Sequence, residues 1–131
     1  DFINTGVPHA VVSVEEIDEL DVVKAGAAIR YHDHFLPNGT NANFYSVKGD
    51  SHIQIRTYER GVEGETLACG TGMTACALIH HLETGASSPV AVDVAGGDTL
   101  EIGFEKADNG AFKEVTLSGP ADFVFEGVVE I

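Results

Sequence analysis

The chain has 131 residues, 44% of them hydrophobic, which suits one compact domain and disfavours both disorder and two full cores. Seven Lys and Arg against 21 Asp and Glu leave a formal charge of −14, so nucleic acid and anionic membranes, which are bound through clustered cations, are excluded as expected partners. The longest stretch without Asp, Glu, Lys or Arg, Thr66 to Leu82, falls short of the roughly 20 mostly apolar residues that span a bilayer.

The chain opens with Asp1-Phe2-Ile3-Asn4-Thr5, lacking a Met, a basic region or an apolar segment, so it reads as a mature or truncated piece. Val11 to Val14 follows a Gly-Val-Pro turn and reads as a strand, and Val22 to Tyr31 carries Val22, Val23, Ala25, Ala28 and Ile29 at roughly helical spacing. After a loop at Phe35 to Gly39, Asn43 to Val47 and Ile53 to Tyr58 read as strands of a hairpin turned at Lys48 to Ser51. From Thr71 to about Glu83 the residues are apolar on nearly every side, with Gly85 as the stop signal. In so acidic a chain, a helix free of charged side chains belongs in the interior. Strand-like runs follow at Val90 to Val94, Thr99 to Phe104, Phe112 to Ser118 and Ala121 to Ile131. The expected fold is α/β of the α+β type: a single domain over residues 1–131, with a curved mixed β-sheet wrapped around a central apolar helix. A strictly parallel sheet fits poorly because the later strands lack helical crossovers.

Two cysteines are too few for a secreted disulfide scaffold. On one helix Cys69 and Cys76 lie about 10.5 Å apart, beyond the roughly 7 Å limit for a bridge. Free thiols imply a reducing compartment and a cytoplasmic location. The acidity reads either as ordinary solvated surface or as adaptation to high salt, which would screen the self-repulsion.

The informative segment runs from Arg56 to Gly72, where Glu65-Thr66-Leu67-Ala68-Cys69-Gly70-Thr71-Gly72 sets a cysteine in a glycine-rich turn at the mouth of the apolar helix. There the helix dipole favours thiolate, and the free N–H groups of Gly70, Thr71 and Gly72 can receive a carboxylate. A Cys69 that merely packs beneath the turn is the structural alternative. Cys76, two turns into the helix, reads as inert core. Gly70 to Ala75 also matches G-x-G-x-x-A, but no buried strand enters the loop directly, so dinucleotide binding stays a minor alternative. His32-Asp33-His34 and His80-His81 have spacings that suit metal ligands but no closed Cys/His set, so no metal is expected. No lysine lies in a motif that suggests pyridoxal phosphate.

Asn4-Thr5-Gly6-Val7-Pro8-His9-Ala10-Val11, Gly39-Thr40-Asn41-Ala42-Asn43-Phe44, Thr57-Tyr58-Glu59-Arg60-Gly61, Glu65 to Gly72 and Ser118-Gly119-Pro120-Ala121, in this order, closely resemble the C-terminal half of the diaminopimelate epimerase family. The resemblance implies a two-lobed, pseudo-symmetric enzyme with one catalytic cysteine per lobe, of which this sequence supplies the second. It implies cofactor-independent inversion of LL-diaminopimelate to meso-diaminopimelate, on the route to lysine and peptidoglycan. Cys69 matches the acid/base thiol. Gly70 and Thr71 match the residues that hold the reacting carboxylate, Arg60 a partner of substrate carboxylate, and Glu59 a partner of ammonium that also tunes the thiol. Asn41 matches an amide of the substrate pocket, and His9 the imidazole that tunes the thiol of the other lobe. Two departures stand out: Val7 replaces an Asn that contacts substrate in many members, with Asn43 as a candidate replacement, and the segment from Glu59 to Cys69 is one residue longer than in some, through Glu63-Gly64.

With one catalytic thiol the chain is expected to be inactive alone, its partners being the missing N-terminal lobe or a second copy. The terminal strand, residues 122–131, would join the missing lobe; without it, Phe123 to Ile131 is expected to be an exposed edge that pairs with another chain or is disordered. A related cysteine-pair amino-acid racemase and a non-catalytic carboxylate-binding module remain as alternative functions.

Overall fold

The computed structural model describes residues 1–131. Its strands are β1 (Phe2–Asn4), β2 (Pro8–Ser13), β3 (Asn41–Gly49), β4 (His52–Glu59), β5 (Gly64–Thr66), β6 (Val90–Asp93), β7 (Thr99–Lys106) and β8 (Phe112–Ser118), with helices α1 (Val22–Arg30) and α2 (Gly70–Thr84). They form a curled, mixed, eight-stranded sheet in the order β1-β2-β3-β4-β6-β7-β8. One edge of β4 pairs with β3; the other is shared, its start with β6 and its end with β5.

Two pairs are parallel, β2 with β3 and β4 with β6. Parallel neighbours need a crossover, and α1 supplies the first and α2 the second. The period of two along each strand then divides the side chains between two faces. Tyr45, Ile53 and Ile55 join Val11, Val90, Val92 and Ile102 around Met73, Ala75, Cys76, Ala77, Leu78 and Ile79 of α2. Ala42, Phe44 and Tyr58 point the other way, toward Ile17 and Val22. Strand β3 is therefore buried on both faces from Asn41 to Ser46. Gly26 lets α1 settle on the sheet, since a Cβ there would lie 2.3 Å from Tyr58 Cβ.

The central apolar helix and the mixed sheet around it thus form as expected. Helix α2 ends on Gly85, whose φ of 76° suits glycine and whose N–H donates to His81 O at 2.8 Å. Leu82 departs from the expected pattern by facing outward, 51% exposed. From β6 to β8 the chain is an antiparallel meander, in keeping with the lack of helical crossovers. Strands β1 and β5, three residues each, are too short to show periodicity and owe their existence to pairing with β2 and β4. The strand-like run from Ala121 onward forms no strand: Phe123, Val124, Phe125, Val128, Val129 and Ile131 are each at least 81% exposed. No helix is long and apolar enough to cross a membrane.

Candidate active site

Cys69 occupies the N-cap of α2 in extended conformation, and its carbonyl accepts the first helical hydrogen bond, from Met73 N–H at 2.8 Å. No side chain caps this end, so the N–H groups of Gly70, Thr71 and Gly72 lack the partners that only a preceding turn could supply. The approach is pinned from the loop after β6, where Gly96 N–H donates to Leu67 O at 3.0 Å. The thiol is partly exposed while Cys76 is fully buried, and burial pushes the Cys76 thiol well above the ordinary range.

Four strands converge on this helix end. Thr5, just past β1, donates its hydroxyl to Thr71 O at 2.9 Å. On β2, His9 lies with Nε2 2.9 Å from Thr71 Oγ1, which is itself 3.6 Å from Cys69 Sγ. On β3, Asn43 Nδ2 is 2.8 Å from His9 Nδ1 and 3.2 Å from Ala10 O, and on β4, Thr57 Oγ1 donates to Asn43 Oδ1 at 3.0 Å. Helix and sheet touch closely here because residue 72 is glycine: a Cβ at that position would lie 2.5 Å from Asn43 Oδ1. The second glycine of the G-x-G pattern thus has a packing reason independent of any nucleotide.

Burial holds His9 down at about 4, with Arg60 acting in the same direction. The imidazole is neutral near neutrality. An unfolded histidine titrates near 6.5, so between 6.5 and about 4 the unfolded chain binds the extra proton and the folded one does not. Stability from this residue is therefore complete above 6.5 and falls with pH toward about 4, by on the order of 3 kcal/mol. The expected result is that His9→Gln flattens this part of the acid limb in urea unfolding measured at a series of pH values; an unchanged limb would contradict it.

The structure unites Arg60 and Asn41 one strand further along. Arg60 N–H donates to Asn41 Oδ1 at 2.7 Å, Arg60 Nη1 donates to Asn38 O at 2.9 Å, and Asn41 Nδ2 donates to Pro8 O at 3.2 Å. Asn41 is the parallel-strand partner of His9, which links this group to the thiol. Glu59, at the end of β4, uses its carbonyl to accept the N–H groups of Val62 and Glu63; its half-buried side chain is joined to Cys69 by no hydrogen bond.

Asn43 is not available to replace an amide at Val7, because it is fully buried with its oxygen and nitrogen both committed within the protein. Glu63, the residue of the longer loop, takes a left-handed φ of 58° and accepts from Arg30, Tyr31 and Gly61 N–H. This anchors the loop beyond Arg60 to the end of α1, and the Arg30 guanidinium holds Glu63 below the usual carboxylate range. Sequence reasoning missed Thr57 and the Arg30–Glu63 pair. It gave Asn43 a different role, although its place in the Gly39 to Phe44 motif, two positions after Asn41 on the same strand face, was a signal. The histidines weighed as metal ligands make other contacts: His32 Nδ1 accepts His34 N–H, His80 Nε2 lies 3.2 Å from Asp50 O, and His81 Nδ1 2.7 Å from Ala86 O.

The curled sheet closed around α2 is shared with a solved structure, the Bacillus anthracis phenazine biosynthesis protein of the PhzF family, at a TM-score of 0.53 and 18% identity over 83% of this chain and 34% of that one. That likeness defines the fold class alone. The family model described as diaminopimelate epimerase matches residues 2–124. Proteins named diaminopimelate epimerase from Aquifex aeolicus and Hydrogenobaculum sp. are 50% and 49% identical over 96% and 98% of this chain. One from Chlorobaculum tepidum is 44% identical over 99%. The chain belongs to the diaminopimelate epimerase family. It spans about half the length of these curated relatives, between 44% and 49%.

Proposed function

We propose that this chain is the Cys69-bearing C-terminal lobe of a diaminopimelate epimerase, an isomerase that inverts LL-diaminopimelate to meso-diaminopimelate without a cofactor. The observation that carries the reading is a partly exposed thiol at the uncapped N-terminus of a buried helix, with Arg60 and Asn41 reached through neighbouring strands. The α-carboxylate lies on the N–H groups of Gly70 and Thr71, where the charge that develops on proton removal meets fixed donors. Arg60 receives substrate carboxylate, Glu59 an ammonium, and Asn41 a polar group of the substrate. Cys69 removes the α-proton in one direction and returns it in the other.

Inversion requires a second acid/base group on the opposite face of the planar carbanion. Cys76 cannot serve, being buried on the same helix. A second lobe with its own thiol completes the pocket. The tail from Phe123 to Ile131, exposed here, packs against that lobe.

The test is α-hydrogen exchange and inversion of diaminopimelate in deuterated water. A polypeptide in which this chain follows a first lobe bearing its own cysteine exchanges and inverts, whereas the 131-residue chain does neither. Inversion by the chain alone would refute the half-site reading. Binding without exchange by the two-lobed polypeptide would leave a carboxylate-binding module in its place.

A further inference from the structure

We infer that the Thr71 hydroxyl directs its proton at the Cys69 sulfur, held in that sense by a buried hydrogen-bond chain that runs from Thr57 through Asn43 and His9. The inference builds on the reading of Cys69 as the acid/base group, and it assigns positioning roles to Thr57, Asn43 and the Thr71 side chain.

The direction of every link follows from chemistry. Asn43 Oδ1 accepts the Thr57 hydroxyl at 3.0 Å, and Asn43 Nδ2 is also 3.2 Å from the Ala10 carbonyl, which accepts only a donor. The Ala10 carbonyl fixes the amide with its NH2 toward His9, and the Thr57 hydroxyl, able to donate or accept, then donates to Oδ1. An NH2 group has no acceptor capacity, so His9 Nδ1, at 2.8 Å, must be the acceptor. The neutral ring then carries its proton on Nε2 and donates to Thr71 Oγ1 at 2.9 Å. With that bond accepted, the hydroxyl proton of Thr71 is free to point at Cys69 Sγ, 3.6 Å away and within range for sulfur.

The surroundings keep the chain in this state. Asn43, Thr57 and His9 are each at most 2% exposed, so water does not compete. No carboxylate hydrogen-bonds to His9 or Thr71 that could draw a proton onto Nδ1. Among charged groups, Arg60 disfavours a second proton on His9, and Cys76, the other titratable group near Cys69, is buried and neutral. A doubly protonated imidazole would set Nδ1–H against the Asn43 NH2. The Thr71 hydroxyl therefore acts as a donor that stabilises thiolate over thiol, adding to the helix dipole.

The test is the pH profile of Cys69 alkylation by iodoacetamide on the 131-residue chain, with buried Cys76 as internal control. Thr71→Val is expected to move the midpoint up by about one pH unit and slow alkylation at neutral pH about tenfold. Thr71→Ser keeps the unsubstituted profile. An unchanged profile in Thr71→Val, or a shift in Thr71→Ser equal to that of Val, overturns the inference. Independently of any variant, nitrogen-15 spectra of the unsubstituted chain should show His9 as the Nε2–H tautomer, with no titration between pH 5 and 8, a window above its value of about 4. The Nδ1–H tautomer would overturn it too. These readouts need no turnover, so the failure of epimerase activity and the failure of the hydrogen-bond chain remain separate results.

Discussion

Replacing Cys69 with alanine in the proposed two-lobed enzyme is expected to lower the rate of diaminopimelate inversion by about 10²–10⁴, the usual contribution of a positioned acid/base group. The effect is chemical rather than structural. Cys69 is an N-cap whose side chain makes no cap hydrogen bond and is partly exposed, so its loss opens no cavity in the core. Circular dichroism and the urea midpoint should match the parent within error while exchange in deuterated water collapses. Cys76→Ala is the contrasting variant. It removes a fully buried side chain and is expected to cost stability while sparing the chemistry. If Cys76→Ala abolished turnover in a folded enzyme, or if Cys69→Ala retained it, the thiol assignment would be wrong.

Gly72→Ala is expected to damage stability and chemistry together. The added Cβ would lie 2.5 Å from Asn43 Oδ1 and 3.3 Å from Cys69 Sγ. Asn43 cannot simply retreat, because its oxygen and nitrogen are tied to Thr57, His9 and Ala10. Either the helix end lifts from the sheet or the amide loses its bonds, and overpacking of this kind costs about 1–3 kcal/mol. In the same variant Cys69 should alkylate with an altered pH profile, since the group that orients His9 has moved. Urea unfolding and the alkylation rate measure the two consequences separately. A variant with parental stability and parental thiol reactivity would show that the helix end yields more easily than the packing implies.

The elements with strong periodicity are legible in the residues themselves. Helix α2 stands out because an acidic chain leaves it free of acidic and basic side chains as far as Leu82, and the β3–β4 hairpin because apolar runs flank a Gly-Asp-Ser turn. Strands β1 and β5 are not legible, since three residues carry no period and form only where a longer strand offers an open edge. The terminal run from Phe123 to Ile131 shows the same dependence in reverse: its residues are strand-like, but nothing in the sheet pairs with them.

The site divides in a similar way. Cys69, Gly70 and Thr71 are visible because the chemistry of a helix N-terminus is contiguous in sequence. So are His9, Asn41, Glu59 and Arg60, through their motifs. Their connection is not. Cys69 depends on Thr71 two residues away, but Thr71 depends on His9 from β2, His9 on Asn43 from β3, and Asn43 on Thr57 from β4. Each of these is an ordinary polar residue in its own segment. Only strand pairing and the close approach allowed by Gly72 make them one chain.

By itself, then, the sequence determined the buried helix and the position of the thiol at its mouth, because local spacing and capping chemistry are properties of adjacent residues, while the family entered through the resemblance of its motifs. The tertiary structure decided which residues of other strands reach that thiol through Thr71, and that Asn43 is buried and committed among them. Both depend on burial and on contacts between strands far apart along the chain, where removal from water fixes a single arrangement of donors and acceptors.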